Sequence, residues 1–242
     1  MKKLFVTLLK KELFTILHSY SFWVSFLFFH FVMSVLFLVI PVWFDLGFSS
    51  FSYFFSLYPF VFIVVIPMLT MGAWTDEYKS QTSKLLFLFP VSESVIVLTK
   101  FFACGIMFFV QLLTSLLIPL SVAGLTYFEG ASFLFSFFSS FAFALSCIAI
   151  SLSASSVSEE SAIAFVFSFL TIAFFSLVHF ILRFVNLPKV VESFIKTISF
   201  SQHFQNASLG IFDLSDYIFY FALTLFGIAL NVFILKYKRI KK

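Results

Sequence analysis

The residues able to carry chemistry in this sequence are few and scattered. Cys104 and Cys147 are its only cysteines. Neither sits in a CxxC pair or a Cys/His cluster, so both read as small apolar packers rather than a disulfide or metal site. His30 and His179 each stand alone in an apolar run, where a histidine packs or marks an interface. Glu159 and Glu160 approach an intramembrane-protease signature, EExxxR, but position 164 is Ala. A plainer reading has Ser158 cap the next helix, with both carboxylates at its positive N-terminal end. There is no GxxxxGK[ST] and no HExxH, which excludes a P-loop nucleotide site and a zinc-protease helix. No catalytic dyad can be assembled. The expectation is a protein that is not an enzyme and has no cofactor or metal of its own.

Membrane-spanning helices must position what remains. Six stretches contain no Asp, Glu, Lys or Arg: residues 13–44, 46–75, 101–128, 130–158, 161–182 and 217–235. A helix rises about 1.5 Å per residue, so roughly 20 apolar residues cross a hydrocarbon core about 30 Å thick. In lipid an irregular backbone leaves peptide groups unpaired, so these stretches must be helical. The chain is 62% hydrophobic and 11% charged, against about 25% charged in a soluble domain. No interval between the runs is long enough to hide a soluble domain. The sequence predicts one all-α, polytopic membrane domain over residues 1–242. Its six transmembrane helices fall at about 20–42, 51–73, 95–122, 131–152, 161–182 and 217–235. No charged residue falls in a predicted membrane core, which removes the usual carriers of an ion-coupled transporter. Phe supplies 43 residues and favours no helical face, so it reads as apolar bulk for lipid contact.

An even number of spans puts both termini on one side. That side carries twelve basic residues: Lys2, Lys3, Lys10, Lys11, Lys79, Lys84, Lys100, Lys236, Lys238, Arg239, Lys241 and Lys242. The other side holds Arg183, Lys189 and Lys196. This asymmetry places both termini in the cytoplasm. Trp43, Tyr127 and Tyr217 then fall near the outer boundary, and Trp74 and Tyr237 near the inner one. Residues 1–19 read as an interfacial helix. Leu4, Leu8, Leu9, Leu13 and Ile16 share its apolar face, while Lys3, Lys10, Lys11 and Glu12 reach for headgroups.

Two connections are more than turns. In residues 74–94, Tyr78, Thr82, Leu85, Leu86 and Phe89 recur at helical spacing, with Asp76, Lys79, Ser83 and Lys84 elsewhere. Pro90 stops that pattern, and Ser92 with Glu93 can cap the next helix. A short helix parallel to the membrane is expected, either with a partner or as a passive surface linker. In the outer segment 183–216, Val190, Val191, Phe194, Ile195 and Ile198 share one face, opposite Lys189, Glu192, Ser193 and Lys196. This reads as an interfacial or re-entrant helix. The uncharged run after it contains Gln202, His203, Gln205 and Asn206, so it does not span. In the fourth span Ser139, Ala142, Ser146, Ala149 and Ser153 form a stripe that lets another backbone approach closely. The approaching helix is one of the same chain or of a second subunit.

A polytopic protein with neither coupling ions nor an ATPase site can transport if another chain supplies the energy. The residues Pro67-Met68-Leu69-Thr70-Met71, Thr75-Asp76-Glu77, Gln81-Thr82, Leu85-Leu86, Pro90-Val91-Ser92 and Lys100 closely resemble the permease subunits of ABC-2 exporters. Ser199-Phe200-x-x-His203-Phe204, with the run 210–216, is similar to the segment before the last helix in their gliding-motility-type branch. Ser155-Ser156, Glu160 and Ala164-Phe165 add a third match, and together these cover the chain from about residue 56. Tyr78, Gln81 and Thr99 depart from the pattern's Arg, Gly and Gly. The resemblance implies two six-helix permease subunits in the cytoplasmic membrane, working with two separate ABC ATPases that bind the ATP. It implies that Asp76, Glu77, Tyr78, Thr82, Leu85, Leu86 and Phe89 belong to a coupling helix seated on the ATPase. The expected partners are that ATPase, a second permease subunit and membrane lipid, with no nucleic acid. The resemblance conveys no substrate, and a non-transporting assembly subunit is the alternative.

Overall fold

The structure, a computed structural model, describes residues 2–39, 52–81, 91–121, 130–178, 188–211 and 213–240. Among these every regular element is a helix: α1 (Lys2–Leu17), α2 (Tyr20–Val39), α3 (Ser52–Ser56), α4 (Tyr58–Thr70), α5 (Gly72–Lys79) and α6 (Glu93–Ser115), then α7 (Leu117–Leu120), α8 (Gly130–Val157), α9 (Ser161–Leu177), α10 (Lys189–Ile198), α11 (Phe200–Ser208) and α12 (Leu214–Ile240). Among the described residues, five helical stretches are long and apolar enough to cross a membrane: Tyr20–Val39, Tyr58–Lys79, Glu93–Leu120, Gly130–Val157 and Leu214–Arg239. The fifth predicted span appears as α9, apolar but only 17 residues long. Its remainder, residues 179–182, lies outside the described residues, as do Trp43, Tyr127 and His179.

The axis of the bundle is α8. It packs along α12 and also touches α4, α5, α6, α9 and α11. Small side chains permit this. A Cβ added at Gly227 of α12 would lie 2.7 Å from the Ala149 carbonyl carbon of α8, so the two backbones are in direct contact. Ser139 also hydrogen-bonds the Tyr217 hydroxyl. Ser139 and Ala149 of the small-residue stripe therefore meet a helix of their own chain. Ser146 and Ser153 donate to carbonyls three residues back in α8, which satisfies their hydroxyls locally.

Phenylalanine divides into two populations. Phe31, Phe167, Phe221 and Phe226 are exposed, as lipid contact requires, whereas Phe29, Phe62, Phe108, Phe143 and Phe200 are fully buried. Ring contacts between Phe29 and Phe62 (6.3 Å), Phe62 and Phe143 (5.8 Å), and Phe143 and Phe200 (5.7 Å) run through the bundle centre. Helices in lipid gain little from hydrophobicity alone, so their association leans on such dispersion-rich contacts.

Three local features depart from the sequence reading. Residues 74–79, expected in a separate cytoplasmic helix, instead extend the second long helix. It passes from α4 to α5 through Met71 and is followed by Gln81 at φ 55°. Trp74, expected at the interface, is fully buried against Ile96, Val97 and Leu235. Ser158 does not cap α9 through its side chain. Its Oγ accepts the Glu160 N–H at 3.0 Å, and Glu160 is the capping position. Ser92 does occupy the N-cap of α6, although its side chain makes no cap bond.

Candidate functional site

The most concentrated polar chemistry lies at the end of the bundle shared by α1 and the C-terminal turn of α12. Lys100 stands two turns into α6 and is 2% exposed. Its Nζ donates to Glu12 Oε2 of α1 at 2.9 Å and to the Ala73 carbonyl at 2.8 Å, and it meets Glu77 Oε1 of α5 at 2.9 Å. An ammonium has three hydrogens, and three acceptors meet it. The charge also lies 4.8 Å from the centroid of the Trp74 ring, within cation–π range. Lys11, half exposed, bridges Glu12 Oε1 and Glu77 Oε1 at 3.2 Å each. Two cations and two anions thus join α1, α5 and α6. A lysine tolerates such burial only when it is paired and hydrogen-bonded in this way.

The electrostatics of Glu12 follow from these contacts. Burial works to raise its pKa, but Lys100 and then Lys11 outweigh that and hold the carboxyl below the usual glutamate range. A cavity of about 50 Å³ lined by Glu12, Ser19, Asp76 and Lys100 adjoins the clamp.

Around the clamp, α5 reaches every neighbouring helix end. Tyr78 donates its hydroxyl to the Ser156 carbonyl of α8 at 3.1 Å, and Thr75 hydrogen-bonds Ser161 of α9 at 2.8 Å. Lys238 of α12 lies 4.2 Å from the Tyr78 ring centroid and donates to the Val157 carbonyl at 3.1 Å. Arg239 pairs with Glu93, which brings the end of α12 onto the start of α6. Asp76 is exposed. Gly72 makes room for it, because a Cβ there would lie 2.6 Å from Asp76 Oδ2.

Of the residues singled out from the sequence, Asp76, Glu77 and Tyr78 share this end of the bundle. Thr82, Leu85, Leu86 and Phe89 lie outside the described residues. Ser139, Ala142, Ser146, Ala149 and Ser153 belong to the α8 stripe and not to this site. Two members of the clamp carry roles the sequence reading did not give them. Glu12, assigned to headgroups, turns inward, and Lys100 counted as a positive-inside charge and as the end of the family-like motif, with no partner assigned. A signal for both was present. Glu12 falls three residues after Leu9 and four before Ile16, on the apolar stripe of α1. Lys100 holds the same relation to Val97 and Cys104 in α6. A lone charge on each of two packing faces calls for an opposite charge between them.

A family model described as ABC-2 family transporter protein matches residues 45–236. The chain belongs to the ABC-2 transporter family. No curated protein sequence matches it. Membership makes it a multi-pass membrane component of an ABC transporter, the kind of chain that works with an ABC ATPase. The matched region of this ABC-2 chain contains Glu77 and Lys100. It begins after α1, so Lys11 and Glu12 enter the clamp from outside it.

Proposed function

We propose that this ABC-2 chain is the permease subunit of an exporter, driven by ATP hydrolysis on a separate ATPase subunit. In this reading it has six spans, lies in the cytoplasmic membrane with both termini in the cytoplasm, and pairs with a second permease subunit. The similarity of Ser199, Phe200, His203 and Phe204 to the gliding-motility-type branch supports placing it there.

The observation that carries the reading is the position of α5. Its acidic segment is tied through Lys100 to α1 and α6, through Tyr78 to α8 and through Thr75 to α9. Displacement at this point reaches all of them, because packed helices shift as bodies between discrete arrangements. Asp76, Thr82, Leu85, Leu86 and Phe89 then form the contact with the ATPase, while Glu77 and Tyr78 pass its movement inward.

The test is Leu86→Asp in the full chain, co-expressed with the ABC ATPase that co-purifies with the wild-type chain. A charge forced into an apolar contact is expected to weaken the complex at least about tenfold. Co-purification and stimulation of ATP hydrolysis should fall while the permease remains inserted and folded. Full retention of both would overturn the coupling role.

A further inference from the structure

At the end of the bundle opposite the clamp, His203 of α11 meets Asp216 in the first turn of α12. His203 Nδ1 lies 2.6 Å from Asp216 Oδ1, and Nε2 lies 3.0 Å from the Thr197 carbonyl of α10. Both partners are acceptors in their ordinary states. A neutral imidazole offers one N–H and one lone pair, so it cannot satisfy both. The geometry needs two protons shared over three positions. Either the ring is an imidazolium beside a carboxylate, or a neutral ring accepts from a carboxylic acid. The ring also stacks on Phe219, with centroids 4.1 Å apart and planes at 16°, a contact that favours the cation.

We propose that His203 and Asp216 form a proton-binding site that latches the α10–α11 segment onto the last helix. When one proton leaves to solvent, a lone pair must face an acceptor at one of the two contacts, and that contact is lost. His203 retains 15% side-chain exposure, which gives protons access. Much depends on the latch. Phe200 and Phe204 of α11 are buried against Phe143, and the turn at Gly210 crosses directly over Ser132 of α8.

Other titratable residues on the surrounding elements are Asp213, Tyr217 and Tyr220 in and before α12, with Lys236, Tyr237, Lys238 and Arg239 at its far end, Lys189, Glu192 and Lys196 on α10, Tyr53 on α3, Tyr58 on α4 and Cys147 on α8. Among these side-chain types and His203 itself, imidazole is the one whose charge ordinarily changes between about pH 5 and 8.

The test is hydrogen–deuterium exchange of the full chain in nanodiscs at about pH 6 and about pH 8.5, corrected for intrinsic exchange rates. Protection of residues 200–208 should fall at least about tenfold at the higher pH, the loss of one charge-assisted hydrogen bond, while α8 stays protected. Asp216→Asn separates a latch from mere packing. An Asn amide can donate to Nδ1 while neutral His203 donates Nε2–H to Thr197, so this variant should stay protected at both pH values. His203→Gln should abolish the pH dependence. Unchanged wild-type protection between the two conditions, or the same pH dependence in Asp216→Asn, would overturn the proposal.

Discussion

Lys100 has no freedom to be replaced by an isostere. Lys100→Met leaves Glu12 and Glu77 facing one another beside a single half-exposed lysine. Removing one partner of a buried ionic cluster costs about 3–5 kcal/mol. The variant should melt well below wild type in detergent, and Lys100→Met with Glu12→Gln should recover part of the loss, since the two sites couple. The pH dependence has a definite sign. The Glu12 carboxyl is held below its usual range, so it contributes stability above the ordinary glutamate pKa of about 4.3. That contribution disappears as pH falls through the lowered folded value. Acid should therefore lower the melting temperature of wild type by more than that of Glu12→Gln. None of these partnerships was legible from composition. The charge-free runs flagged Lys100 as a boundary residue, because a run ends at any charge whether or not a partner one helix away satisfies it.

Among the elements, lengths and apolar content were legible because the bilayer dictates them. Boundaries were less so. Residues 74–79 are polar and so were read as a loop helix, yet partners on α1, α6, α8, α9 and α12 let them continue a membrane helix. The amphipathic α10 was read as either an interfacial or a re-entrant helix. Val190 is 82% exposed, and it is the less regular α11 that enters the core, with Phe200 and Phe204. Amphipathicity shows that a face is apolar without showing whether protein or lipid covers it. The contact of α8 with α12 is open to a direct test. Gly227→Val must separate two touching backbones, an overpacking expected to cost about 1–3 kcal/mol. Thermal unfolding should register the loss, and Ala149→Gly in the same chain should relieve part of it. A full-sized melting temperature in Gly227→Val would show that the helices separate freely.

For the whole molecule, the basic asymmetry predicts that cysteines at positions 80 and 238 are labelled only from the cytoplasm, and one at position 189 only from outside. Labelling of position 80 from outside would reverse the orientation and remove the ATPase contact with it. The central place of α8 also bears on how the protein is made. A chain leaves the ribosome from its N-terminus, and residue 130 is more than halfway along it. Until α8 arrives, Thr70 lacks Ser151, Tyr78 lacks the Ser156 carbonyl and the Phe62 ring lacks Phe143. The first three spans can close the clamp of α1, α5 and α6 and bring Phe29, Phe62 and Phe108 together, but the centre of the bundle is completed only when α8 enters. The half-made chain is therefore expected to be cut by membrane proteases more readily than the finished one, because the helix that fills its middle is made late.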